Sequence, residues 1–214
     1  MFQVRERNII KTVFYWEKGK GSIMVFHYGG KYVSEEELKN KGKPRDNATP
    51  FREPGQTVFS VIANGGCIIL LAILIAVLWY VSKPDWKTFG IQIGIASVIS
   101  VVLLIPHEFL HAVCFREDVY LYFNLKTMLV FVYGSESMSK CRFIFMSLLP
   151  NIAFGILPYL LFLTHHDWLL CGLTGAFCTS MGFGDYINVF NAIIQMPRGA
   201  KTYLYGFHSY WYME

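Results

Sequence analysis

His107, Glu108 and His111 stand in IPHEFLHAVCF as an H-E-x-x-H pattern, inside one of the most apolar stretches of the chain. On a helix, positions i and i+4 share a face, so two imidazoles at this spacing can hold one Zn²⁺ while the adjacent carboxylate reaches a water beside it. The metal makes that water more acidic, and the carboxylate takes its proton as the oxygen attacks a carbonyl. Ionisable groups in hydrocarbon are costly unless paired, hydrated or ligated. The setting of His107, Glu108 and His111 therefore favours a ligated cluster over an incidental one.

A zinc site needs a third protein ligand. His27 falls in the N-terminal region, His165 and His166 in a short loop and His208 in the C-terminal tail, whereas Asp185, in SMGFGDYINVFNAI, lies well inside an apolar segment. Depth supports Asp185. His107 comes 19 residues after Thr88 and Asp185 comes 18 after Asp167, so two helices running the same way bring them to similar levels. Asn151, in LLPNIAFGILP, is nine residues from Arg142, as His107 is from Arg116. At that level Asn151 is a candidate to hold a substrate backbone or a developing oxyanion. Asn188, one turn after Asp185, is a candidate to orient it. A helix-packing hydrogen bond is the alternative for either asparagine.

The elements that must position these residues are those of a membrane protein. The chain is 54% hydrophobic and only 16% charged, which is unusual for a soluble domain. Four segments are apolar over about 20 residues or more, enough for a transmembrane helix: Val58 to Val81, Thr88 to Phe115, Cys141 to Leu163 and Asp167 to Gln195. The expected fold is mainly α and polytopic, with about four transmembrane helices. Small residues, Gly90 and Gly94 in the second and Gly172, Gly175, Gly182 and Gly184 in the fourth, permit close helix approach. Lys and Arg are retained on the cytoplasmic side. Residues 1–57, the loop from Arg116 to Arg142 and the C-terminal tail together hold 17 of them, against Lys83 and Lys87 on the other side. Both termini are accordingly expected in the cytoplasm of this multi-pass protein, with Trp79, Tyr80, Trp86 and Trp168 as interfacial anchors near span ends.

The polar parts are small. MFQVRERNIIKTV has no apolar run of the secretory type, so the first span is expected to direct insertion. Residues 1–57 read as a small cytoplasmic α/β unit. In it NIIKTVFYW and SIMVFHY are strands joined by EKGKG, Ser34 and Glu37 form a capping box, and KGKPRDNATPFREPG is a linker. Residues 58–200 form the helical core and 201–214 an aromatic cytoplasmic tail. Between spans two and three, VYLYFNLKTMLVFVYGS reads as a β-hairpin turning at Asn124 to Thr127, whose strand edge could receive an extended peptide. The five cysteines are scattered with no CxxC spacing and read as reduced. No nucleic-acid partner is expected.

HEFLHAV late in one span, with GDYIN about 75 residues on in a later span, resembles the small membrane-embedded zincin peptidases. More distantly it is similar to site-2 protease, the intramembrane zinc metalloprotease. The resemblance covers roughly residues 58–200. It implies that His107, His111 and Asp185 are zinc ligands and Glu108 the general base. The implied substrate is a membrane-anchored protein cut in or near its transmembrane segment. Site-2 proteases present their aspartate in an NPxDG-like context, where this chain has MGFGDYIN. A zinc-binding adaptor without turnover and a metal transporter are readings of other classes that the same residues permit.

Overall fold

Among the described residues, three helical stretches are long and apolar enough to cross a membrane: Thr57–Ser82, Trp86–Ala112 and Lys140–Thr164. The computed structural model describes residues 14–18, 22–124 and 129–214. The expected strand NIIKTVFYW, the joint EKGKG and the turn at Asn124 to Thr127 lie wholly or partly outside them. In chain order the elements are β1 (Phe14–Lys18), β2 (Ser22–Lys31), α1 (Glu35–Lys39), β3 (Thr49–Pro50), α2 (Gln56–Ser82), α3 (Trp86–Val102), α4 (Leu104–Ala112), β4 (Val119–Asn124) and β5 (Leu129–Tyr133). There follow β6 (Met138–Ser139), α5 (Lys140–Pro150), a π-helical turn (Asn151–Ile156), α6 (Leu157–Thr164), α7 (Leu169–Met181), α8 (Phe183–Gln195), β7 (Lys201–Tyr205) and β8 (His208–Tyr212).

The second and third of these stretches are not regular throughout. Pro106 has no N–H to return to the Val102 carbonyl, and the helix is interrupted nearby at Leu103, which separates α3 from the short helix α4. In the third, Pro150 ends α5 and the π turn follows, with the Leu157 N–H bonded to the Ile152 carbonyl five residues back. Both irregularities fall beside the residues expected to do chemistry, a common place for them.

The expected fourth span, Asp167 to Gln195, is instead two helices, α7 and α8, of 13 residues each that meet at Gly182. At about 1.5 Å per residue neither alone reaches across a hydrocarbon core of about 30 Å. α7 is the central helix, in contact with α2, α3, the π turn and α6. Its glycines explain how. A Cβ on Gly175 would lie 2.6 Å from the Tyr159 nitrogen, so the helices meet backbone to backbone there, and one on Gly172 would lie 2.5 Å from the Phe162 ring, which packs onto the bare backbone. Gly90 and Gly94 do not serve this purpose, because a Cβ on either would meet nothing within 4 Å. By contrast α2 presents Val61, Ile68, Ile69 and Ile73 outward, and Tyr80, Trp86 and Trp168 are exposed near helix ends. Such an apolar exterior suits lipid rather than water.

The strands make two four-stranded sheets, ordered β1-β2-β4-β5 and β3-β8-β7-β6. The N-terminal region thus joins the loop hairpin through the parallel pair β2–β4, and it joins the C-terminal tail through β3–β8. Ser34 caps α1 by position but makes no side-chain cap bond, so the expected capping box is absent. Glu37 turns away to accept a hydrogen bond from the Tyr122 hydroxyl at 3.1 Å. Tyr122, Tyr133 and Leu38 form a buried cluster under the first sheet, where each such side chain contributes about 1.5–3 kcal/mol. Burial pushes the Tyr133 phenol up to about 12.

A second cluster lies where the helices carrying the candidate site converge. Ala112, Phe115, Phe143, Met146, Ala192 and Met196 pack together, fixing the end of α4 against α5 and α8.

Candidate active site

α4 places His107 and His111 one turn apart with their rings at an interplanar angle of 77°. Their Nε2 atoms approach to 3.1 Å. Asp185, in the first turn of α8, brings Oδ2 to 3.4 Å from His107 Nε2 and 3.6 Å from His111 Nε2. Two bonds of about 2.0–2.1 Å at a tetrahedral angle separate ligand atoms by about 3.3 Å. The triangle of two imidazole nitrogens and one carboxylate oxygen has edges close to that length, and its donor set is one that zinc accepts. The residues present therefore fit a zinc ion.

The ligand atoms are oriented from behind. His111 Nδ1 lies 2.9 Å from the Met146 carbonyl. A carbonyl can only accept, so the proton is on Nδ1 and Nε2 offers its lone pair to the centre. The Asn151 amide donates to Asp185 Oδ2 at 2.8 Å and to the Ser147 carbonyl at 3.1 Å. Asn151 is fully buried. A Cβ at position 182 would lie 1.5 Å from Asn151 Oδ1, so only glycine leaves room for this contact. Asn188 is half-buried and makes no hydrogen bond to Asp185 among the described residues. The orienting contact considered for Asn188 is made by Asn151.

Glu108 is near enough to be grouped with the histidines, one ligand atom from each of the three lying within 4.8 Å of the others. Asp185 is the better third vertex, because its distances to both Nε2 atoms are shorter and Glu108 Oε2 already accepts the Val132 N–H at 2.9 Å. Among the described residues β5 is the outer strand of its sheet, so the base is tied to a sheet edge. A cavity of about 160 Å³ adjoins His107, Glu108 and Asp185, with Ser100, Leu104, Val130, Phe154, Cys178 and Met181 among its lining residues. The remaining described histidines are elsewhere. His27 pairs with Asp118 at 3.3 Å and His208 with Glu53 at 3.5 Å.

The end of α4 is held by a separate polar contact. Glu136 accepts the N–H groups of Arg116 at 2.5 Å and Glu117 at 3.1 Å. It also pairs with Arg142, whose guanidinium donates to the Cys114 carbonyl at 2.6 and 3.0 Å. A cation thereby caps the C-terminal end of the helix that bears the histidines, where a positive charge is favoured.

His107, His111, Glu108, Asp185 and Asn151 are thus brought together. The parts that the chain's residue types do not single out are backbone groups, the Met146 carbonyl and the Val132 N–H. Pro150, four residues after Met146, is the one available signal for the first.

No curated protein and no solved structure matches the chain. Residues 100–201 match the model of the family described as "Putative zincin peptidase". That stretch contains the whole triangle, Glu108 and Asn151, so the part of the chain that carries the site is similar to this zincin peptidase family.

Proposed function

We propose that the chain is an intramembrane zinc metalloprotease that hydrolyses a peptide bond of a membrane-anchored protein. The observation that carries the reading is the triangle of His107 Nε2, His111 Nε2 and Asp185 Oδ2, with edges of 3.1, 3.4 and 3.6 Å, beside a carboxylate. Its support is the match to a peptidase family and three helices long and apolar enough to span a membrane.

A zinc ion held by these three residues supplies Lewis acidity, which makes water a better nucleophile and polarises the scissile carbonyl. Glu108 takes the water proton as the oxygen attacks, then passes it to the departing amine. The Val132 N–H holds Glu108 Oε2, which leaves Oε1 for the water. A substrate helix keeps its carbonyls hydrogen-bonded and must unwind to be cut. The open edge of β5 can take such an unwound segment as an added strand. Val130 both belongs to that edge and lines the cavity, so a side chain next to the scissile bond enters the space between Phe154, Cys178 and Met181. The distribution of Lys and Arg supports a reading in which this site lies toward the cytoplasmic face and both termini are cytoplasmic.

The test uses full-length protein in proteoliposomes with single-span membrane proteins, cleavage being followed by mass spectrometry. Wild type is expected to hold about one zinc per chain and to cut, as a single set of three protein ligands with an open fourth position allows. His107→Ala and Asp185→Ala are expected to lose zinc, and Glu108→Gln to keep zinc and lose cleavage. Cleavage that survives Glu108→Gln would sink the mechanism. Zinc without turnover in wild type would favour the adaptor.

A further inference from the structure

We propose that Pro150 is a positioning residue for His111, acting through a backbone carbonyl that its missing N–H leaves free. Pro150 is the last residue of α5, and the residue four before it is Met146. In a regular helix the N–H at position 150 would bond the carbonyl at position 146. Proline has no such N–H, and its ring pushes that carbonyl off the helix axis.

The Met146 carbonyl is the group that meets His111 Nδ1, at 2.9 Å. His111 is buried, and inside a bilayer neither group has water as a substitute partner. Each therefore supplies what the other lacks. The contact fixes the ring rotation, places the proton on Nδ1 and aims Nε2 at His107 Nε2 and Asp185 Oδ2.

The next residue extends the arrangement. Asn151 opens the π turn and donates to Asp185 Oδ2. Two consecutive residues of one helix thus orient two ligand atoms that sit on two other helices, Pro150 through His111 on α4 and Asn151 through Asp185 on α8. Among the described residues, no other backbone carbonyl is hydrogen-bonded to either imidazole.

The inference rests on the reading of His111 as a metal ligand, but it can be tested without metal. Full-length protein labelled with ¹⁵N-histidine in nanodiscs is compared as wild type, as Pro150→Ala and with Pro150 replaced by lactic acid. The lactic acid residue has alanine's side chain but an ester oxygen where alanine has the N–H. In metal-free wild type an exchange-protected His111 Nδ1–H signal is expected. Pro150→Ala restores the competing N–H, so that protection is expected to fall. Zinc affinity, read by chelator competition, is expected to fall about 10–100-fold, the usual effect of losing a partner that orients a ligand. The lactic acid variant restores neither donor nor ring and is expected to behave like wild type. An unchanged His111 signal in Pro150→Ala overturns the proposal, as does an equal loss in the lactic acid variant. If wild type shows the protected signal but binds no zinc, the metal reading fails and the positioning role stands on the ¹⁵N comparison.

Discussion

The backbone N–H of Val132 donates to Glu108 Oε2 at 2.9 Å, joining the edge of a β-sheet to the carboxylate beside two histidines. An N–H that bonds outward from an edge strand is free of the ladder, so β5 keeps its pairing with β4 without it. The contact links strand and base directly. If the strand holds the substrate, it also sets the distance between the base and the bond to be cut.

Val132→Pro removes this one donor at an edge position that tolerates proline. Turnover is expected to fall about 10–100-fold with zinc content unchanged, since the lost group orients the base and not the metal. Rates of cleavage and metal analysis on the same preparation check this. Full activity would mean that Glu108 needs no such support.

Asn151 and Gly182 make a coupled prediction. Asn151→Leu removes the donor to Asp185 Oδ2 at similar volume, and zinc affinity is expected to weaken about 10–100-fold. Gly182→Ala keeps the donor but places a methyl 1.5 Å from Asn151 Oδ1, which forces the amide or α7 to move. It should weaken zinc binding too, and the two changes combined should cost little more than either alone, because they break one contact. Additive losses, measured by chelator competition, would show that Gly182 acts elsewhere.

The chemistry was readable in the sequence because charge inside an apolar segment is conspicuous. His107, His111 and Asp185 needed only residue type and depth, and the triangle brings those atoms together. Rotation about a helix axis is what depth does not give. Asn151 was placed at the right level, but counting along the chain could not show that it faces Asp185, nor that Asn188 does not bond to it. Glycines mislead for the same reason. Gly90 and Gly94, four residues apart, have the close-packing spacing of a helix interface, yet it is Gly172 and Gly175, three apart, that face a neighbouring helix. Gly182 and Gly184 mark a place where the helix can loosen beside Asp185, but the expected span ran through it because α7 and α8 are both apolar and hydropathy reads straight through a bend. The Ser34–Glu37 box failed because Tyr122, distant in sequence, takes the carboxylate.

Arg142 donates to the Cys114 carbonyl at the end of α4, and its partner Glu136 is nearly inaccessible. Removing one member of a buried pair leaves the other charged and unmatched, at a cost of about 3 kcal/mol or more. Arg142→Met should therefore lower stability by about that amount, read from the denaturant midpoint in detergent. Zinc affinity should fall as well, because His111 lies one residue before the end of the helix that Arg142 caps. The double variant Arg142→Met, Glu136→Leu should recover part of the stability, since it removes both charges.

Tyr133 predicts the behaviour of the first sheet at high pH. Burial raises its pKa from 10.0 to about 12, so the folded form resists ionisation more than the unfolded form does. A group raised in this way contributes its full stability below pH 10 and loses it as the pH climbs toward 12. Tyr133→Phe has nothing to ionise. Its stability should fall less steeply than that of wild type across this window, while the two curves run parallel at lower pH. Its hydroxyl donates to the Leu204 carbonyl at 3.3 Å, so the variant starts lower by the value of one hydrogen bond, about 1 kcal/mol. Thermal denaturation at stepped pH separates the two effects, and equal slopes above pH 10 would show that Tyr133 is not what loosens the sheet in base.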